Sequence, residues 1–355
     1  MNIDKKNALL LMAVTGNYLF SAANVLLGIK KYSPNMFDHI VIYTDKQAKE
    51  CDKQAISKIF DVEFKIYDFQ LDSQKDRLRL IYYSNMTYAR FEAFTYLNEY
   101  KKVFWLDSDL LITGDISGLL NYGDKCGLSM SLDLYPYPKG HSIRAFFVNP
   151  VPDYDMSATA YATGIIIFSD KLPNPLELRE YLYKQTNKYS SYLKYAEQGI
   201  LHMMAQDYNI EIEEFPKTIY HEFVGDNYKD AKITHLLGTS KPWQQYEFGA
   251  FDEWYENHIE WINLGGSECE IFENLLCSVS YREVFHGKTR YQNIMQKVLF
   301  SCHNLSKLKR QFLKYRILSN FKFLPKHECY VKRKKLINTK ISIVKNYLKS
   351  EEKYD

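Results

Sequence analysis

Asp107 and Asp109 are the residues of this chain whose spacing most directly suggests chemistry. They flank Ser108 in 102-KVFWLDSDLLITG-114, directly after an apolar and aromatic run. Successive strand residues point to opposite faces, so positions i and i+2 point the same way. Two carboxylates on one side repel each other unless something positive lies between them. A divalent cation is the economical answer, and hard oxygen ligands suit Mn²⁺ or Mg²⁺. An acid pair of this form also arises by chance as solvated turn residues. The aromatic run before it and Leu110, Leu111 and Ile112 after it favour a built site.

A second stretch, 231-AKITHLLGTSKPWQ-244, ends a strand-like run on His235 and continues through Gly238, Lys241 and Trp243. His235 can supply a third ligand, and one imidazole with two carboxylates tilts the choice toward Mn²⁺. Gly238 lets backbone approach a ligand closely. Lys241 is a point charge suited to phosphate. The bland alternative is a sheet-edge histidine beside a surface lysine. A rival chemistry also has to be weighed. A hydrophobic strand, the acid pair and then Thr113 is how a haloacid-dehalogenase-type phosphatase places its nucleophile and acid. Against it, the pair falls a third of the way along the chain, and no further acid pair follows a later strand-like run.

The elements that must position these groups are legible as short apolar runs: 8–14, 39–43, 62–66, 102–106, 127–132, 164–168 and 231–236. Several are nearly continuous Val, Ile, Leu or Phe, the pattern of strands covered on both faces. Helix-like stretches lie between them at 46–60, 84–100 and 193–208. Alternating strands and helices predict an α/β fold, whose ligands sit at the carboxyl ends of the strands. Residues 133–163, with prolines at 136, 138, 150 and 152, show no period and read as a lid or binding loop.

The 355 residues are 46% hydrophobic, enough to bury a sizeable core. The net charge of +3 conceals an asymmetry. Residues 307–349 carry 14 Lys/Arg against the single acid Glu328, a balance of +13, so the rest of the chain carries −10. Ile337, Ile341, Val344 and Leu348 form one helical stripe within this basic tail. A tail of this kind suits an anionic membrane surface, and no nucleic-acid motif accompanies it. The six cysteines form no C-x-x-C pair, so they read as reduced thiols and not as a zinc site. The N-terminal apolar run, Ala8–Val14, reads as a first strand and not as a leader, and no run approaches the ~20 residues of a membrane span. The expected organisation is a catalytic domain over 1–265 and a helical basic extension over 266–355. The expected location is cytoplasmic, peripheral on the inner face of the plasma membrane.

The acid pair after a hydrophobic strand and the H-x-x-G-x-x-K-P-W run together resemble glycosyltransferase family 8, over roughly residues 7–245. The resemblance implies a GT-A nucleotide-sugar transferase fold, with a mostly parallel Rossmann-like central sheet and flanking helices. It implies a retaining hexosyltransferase that moves glucose or galactose from a UDP-sugar to a saccharide or glycolipid acceptor, as in bacterial lipopolysaccharide synthesis. It assigns Mn²⁺ to Asp107, Asp109 and His235, and the diphosphate to Gly238 and Lys241, with Ser108 beside them. The uridine loop after the first strand becomes Thr15, Asn17 and Tyr18. In 87-TYAR-90, Arg90 resembles the residue that reaches the diphosphate and sugar. Two departures fall at the sugar end. The family's F-N-x-G is 161-YATG-164, placing Ala162 and Thr163 at the sugar or acceptor. Its D-Q-D is 197-EQG-199, which leaves Glu197 and Gln198 as candidate catalytic residues and puts Gly199 in place of an acid. A non-catalytic nucleotide-sugar-binding protein is the alternative these departures leave open.

Overall fold

A computed structural model describes residues 4–71, 84–133, 142–223, 230–237, 241–243, 251–267 and single positions between 312 and 334. The chain divides into two compact units, one of residues 1–237 with 261–267 and one of 238–260 with 268–355.

The first unit is built on a seven-stranded sheet. Its strands are β1 (Lys6–Val14), β2 (His39–Thr44), β3 (Glu63–Ile66), β4 (Tyr100–Leu106), β6 (Leu128–Leu132), β7 (Tyr161–Ser169) and β8 (Ile212–Glu214), in the order β3-β2-β1-β4-β7-β6-β8. Every run predicted for this sheet is a strand. β1 pairs in parallel with β2 and β4, β2 with β3 and β6 with β8, while β7 runs antiparallel to both β4 and β6. From Leu9 to Met12, and from Val103 to Leu106, nearly every side chain is fully buried, as expected for strands covered on both faces. The chain moves outward from β1 to β3 and then returns to the other side of β1 with β4. The topological switch therefore lies between β1 and β4, where ligands of open α/β sheets bind. Residues 15–18 and 107–109 leave the two strands at that switch.

A second, three-stranded sheet joins β5 (Leu110–Ile112), β10 (Ile233–His235) and β9 (Glu222–Phe223). Strands β5, β8 and β9, of two or three residues each, are too short to show a period in sequence.

The helices flank the main sheet. They include α1 (Leu19–Tyr32), α2 (Glu50–Ser57), α3 (Pro175–Tyr189) and α4 (Gln198–Asp207), while the single turn α5 (Lys217–Tyr220) lies against β9 and β10 of the second sheet. The helix predicted over 84–100 winds instead as a 3-10 segment, Asn85–Tyr96. Three residues per turn stack Tyr88, Phe91, Phe94 and Leu97 in one row, all buried, and place Thr87 and Arg90 in another. The aperiodic stretch 133–163 is more ordered than predicted. Between 142 and 160 a 3-10 turn, Ile143–Phe146, and bridges Ser142–Thr159 and Phe147–Leu193 bury Ile143, Phe146, Phe147 and Val151. Residues 134–141 lie outside the described residues.

In the second unit, the start of α6 (Asp252–Asn263) stacks Trp254 on Trp243 and His258 on Trp254, with ring centroids 5.5 and 5.1 Å apart. Tyr255 Oη donates to the Pro242 carbonyl at 2.9 Å. The apolar stripe predicted from Ile337 to Leu348 lies outside the described residues. Among the described residues, no helix is long and apolar enough to cross a membrane.

An ion pair between the half-buried Arg179 and the buried Glu92 ties α3 to the 3-10 segment. Arg179 donates to both Glu92 carboxylate oxygens at 2.8 and 3.1 Å, and Tyr183 Oη donates to Glu92 Oε1 at 2.5 Å. Removing the buried acid takes the shared acceptor from the Tyr183 hydroxyl and from two guanidinium nitrogens of the half-buried Arg179. Glu92→Ala is therefore expected to cost about 2–3 kcal/mol. Differential scanning calorimetry should read this as a fall in the melting midpoint of roughly 4–10 °C.

Candidate metal centre

β4 ends at Leu106 and β5 begins at Leu110, so Ser108 and its two neighbouring acids form the turn between two buried strands. The Asp107 amide still pairs with the Gly164 carbonyl at 2.8 Å, which fixes the turn against β7. β10 runs antiparallel to β5 with His235 opposite Leu110, and the Leu236 amide donates to the Asp109 carbonyl at 2.9 Å. This ladder delivers His235 to the acid pair across 126 residues of chain.

His235 Nε2 lies 3.1 Å from Asp109 Oδ1 and 3.9 Å from Asp107 Oδ2. One ligand atom from each of the three residues falls within 4.8 Å of the others, the cluster among the described residues suited to a metal ion. Roughly a quarter of each aspartate side chain stays exposed, at 24% and 23%, against 6% for His235, so the carboxylates face solvent from a fixed base. The donor set fits a hard or borderline divalent ion: two carboxylates and one imidazole, with negative charge in excess.

Behind the acids lies a buried brace. Asp107 Oδ1 accepts from Trp105 Nε1 at 2.7 Å and from Arg90 Nη2 at 3.0 Å. Arg90 is 3% exposed and its guanidinium lies over the Trp105 ring, 4.8 Å from the centroid. Its Nη1 donates to the Thr163 carbonyl at 3.0 Å and pairs with Glu197. Glu197 also accepts from the hydroxyls of Thr87 and Thr163. Asp107 and Glu197 thus share one guanidinium. Burial pushes the Asp107 carboxyl up to about 6; Arg90 opposes the shift, and Asp109 beside it adds to it.

The imidazole has its own support. His235 Nδ1 lies 2.9 Å from His221 Nε2, and His221 Nδ1 lies 2.6 Å from Ser131 Oγ. Burial, with His235 as neighbour, holds His221 well below the ordinary imidazole value. Gly164 makes room for the pair: a Cβ there would sit 2.4 Å from His235 Cε1 and 2.7 Å from His221 Nε2. The glycine of 161-YATG-164 is a packing requirement of the two histidines.

The remaining predicted residues fall as follows. Thr15, Asn17 and Tyr18 follow β1 at the switch, where Thr15 Oγ1 donates to Asn17 Oδ1 at 2.9 Å and the Gly16 amide donates to Asp45 at 3.0 Å. Ala162 is buried opposite Ser131 in the β6–β7 pair, and Thr163 joins the Arg90–Glu197 brace. Gln198 opens α4, half-buried, and its carbonyl accepts from His202 at 2.8 Å. Gly199 faces the Phe147 ring, and a Cβ there would lie 2.4 Å from Phe147 Cζ, which explains sterically why an acid is missing from 197-EQG-199. Lys241 belongs to the second unit, 5.6 Å from the Trp243 ring centroid. Gly238 lies outside the described residues. Sequence reasoning passed over His221, Ser131 and Trp105. Trp105 was signalled by standing two residues before Asp107 on the same strand face, whereas no motif marks 217-KTIYHEF-223.

The raised carboxyl has a signed consequence. A folded-state value near 6 against 3.8 unfolded means that the metal-free native state holds the extra proton between these values. The Asp107 contribution to metal-free stability therefore falls as pH rises from about 4 to about 6. Metal binding needs Asp107 ionised, so divalent affinity should fall by up to about tenfold per pH unit below 6, as calorimetric Mn²⁺ titrations between pH 5 and 8 will read.

A family model described as "Glycosyl transferase family 8" matches residues 9–247. Glycosyltransferase GlyE of Streptococcus pneumoniae serotype 4 is 24% identical over 242 residues, covering 64% of this chain and 51% of GlyE. The chain thus spans about half the length of that curated relative. Among solved structures, the bifunctional glycosyltransferase WbbM in its apo form matches with a TM-score of 0.56 at 17% identity, over 78% of this chain and 53% of WbbM. The galactosyltransferase LgtC, solved with donor and acceptor sugar analogs, matches with a TM-score of 0.50 at 14% identity, over 75% of this chain and 99% of LgtC. These likenesses concern the fold, which is the expected GT-A arrangement. With the Asp107–Asp109–His235 cluster at its switch point and a family match running over most of its length, the chain belongs to glycosyl transferase family 8.

Proposed function

We propose that this protein is a retaining hexosyltransferase that moves glucose or galactose from a UDP-sugar to a saccharide or glycolipid acceptor, with Mn²⁺ held by Asp107, Asp109 and His235. The observation that carries this reading is the meeting of those three side chains at the β1–β4 switch, beside the loop 15–18. Family membership supports a nucleotide-sugar donor. Bound there, a divalent cation would supply Lewis-acid neutralisation of charge building on the departing diphosphate.

The chain's own residues do the rest of the work in this reading. Arg90 and Trp105 hold one Asp107 oxygen and leave the other toward His235, so the carboxylate is oriented before any ligand arrives. Thr15, Asn17 and Tyr18 receive the nucleotide at the end of β1. Gly238 and Lys241 keep their assignment to the diphosphate from the family resemblance. Glu197 is occupied by Arg90, Thr87 and Thr163, so its role is to hold Arg90, and Gln198 is the better placed of the two to meet the sugar. Residues 1–265 form the catalytic domain and 266–355 a basic extension that holds the enzyme on an anionic inner membrane leaflet.

Two measurements test this. Asp109→Ala should abolish Mn²⁺-dependent stabilisation by UDP in a melting assay run over a panel of nucleotide-sugars; tight metal-dependent binding in that variant would sink the assignment. Release of UDP from the preferred donor supports transfer, whereas binding without release across varied acceptors would favour the non-catalytic alternative. For the tail, liposome flotation should recover the full chain with anionic vesicles and lose it on removal of 306–355; equal recovery of both chains would refute the membrane role.

A further inference from the structure

We propose that His221 is a positioning residue of the metal site, setting the tautomer and ring plane of His235 and held in turn by Ser131. The proposal rests on the metal reading above. To offer a lone pair from Nε2, His235 must carry its proton on Nδ1, and that N–H needs an acceptor in a buried place. His221 Nε2, 2.9 Å away, is that acceptor. The rings are inclined by 17° with centroids 5.0 Å apart, so the two imidazoles lie nearly parallel with these nitrogens within hydrogen-bond distance. With Nε2 accepting, His221 carries its own proton on Nδ1 and donates it to Ser131 Oγ at 2.6 Å. Both His221 and Ser131 are fully buried, so water does not compete for these groups.

The surroundings serve this chain of bonds. Ser131 sits on β6, His221 between α5 and β9, and His235 on β10, so the relay crosses from one sheet to the other. Gly164 on β7 admits both rings where any side chain would clash. Phe223, beside His235 in the β9–β10 pair, closes the remaining side, with ring centroids 5.9 Å apart. His235 is thus oriented from behind, and its Nε2 is left facing the two carboxylates.

The test compares the full chain with H221L, H221Q and S131A. Mn²⁺ affinity is read from the free-ion electron paramagnetic resonance signal, coordination from the ¹⁴N coupling in the pulsed spectrum, and folding from metal-free melting curves. H221L leaves the Nδ1–H without an acceptor and should weaken Mn²⁺ binding by about 10- to 100-fold, with loss or change of the nitrogen coupling. H221Q offers an amide oxygen to the same N–H and should recover most of the affinity and the coupling. S131A frees the outer ring and should give a smaller loss in the same direction, a readout that survives if H221L does not fold. Unchanged affinity and coupling in H221L and S131A, or an H221Q chain no better than H221L, would overturn the role of His221 and leave the metal reading intact. Absence of Mn²⁺ binding by the unmodified chain would overturn both.

Discussion

The pairing of β10 with β5 is the contact on which this site depends. Three residue pairs, Ile233–Ile112, Thr234–Leu111 and His235–Leu110, place an imidazole against an acid pair that arrives from the main sheet. The ladder runs beyond its strands at both ends, through Leu236 to Asp109 and through Thr113 to Lys232. Side chains on an antiparallel pair are set by register, and a slip of one residue would send the imidazole to the other face. The register here is pinned by apolar burial, since Leu110, Ile112 and Ile233 are fully enclosed.

Charge sets the second constraint. Asp107 and Asp109 stand at the mouth of a buried strand with Glu197 behind them, and Arg90 is the cation shared by Asp107 and Glu197. Removing an ion from water is expensive unless its partners are well placed. The guanidinium meets this condition through Asp107, Glu197, the Thr163 carbonyl and the Trp105 face. Asp107 resists ionisation in spite of this brace: burial and the like-charged Asp109 outweigh the one guanidinium. A divalent cation at the cluster would relieve that imbalance, so folded geometry and ligand chemistry point the same way.

The sheet was legible because its signals are local. Continuous apolar runs such as 8-ALLLMAV-14 and 102-KVFWL-106 have few alternatives to a doubly covered strand. The acid pair, the late histidine and the T-Y-A-R stretch could likewise be read from residue type and spacing. What escaped was local structure that packing decides. The segment after Ser84 has buried residues on every side, so its apolar pattern did not distinguish 3-10 from α winding. The stretch 142–160 has no period, yet Ile143, Phe146 and Phe147 anchor it in the core. Glu197 was read as a candidate catalytic residue from its place in 197-EQG-199, but its burial against Arg90 is a contact that spacing does not reveal.

The sequence by itself determined where the longer strands fall along the chain, the strand end that carries the carboxylates, and the kinds of ligand available. These follow from hydrophobic period and side-chain chemistry, which act over a few residues. Only the tertiary structure decided that His235 meets Asp109, that His221 and Ser131 stand behind it, and that Gly164 and Gly199 are glycines because His235 and Phe147 occupy the adjoining space. Those outcomes depend on register and close packing between segments far apart in the chain, and no local pattern encodes a distance between them.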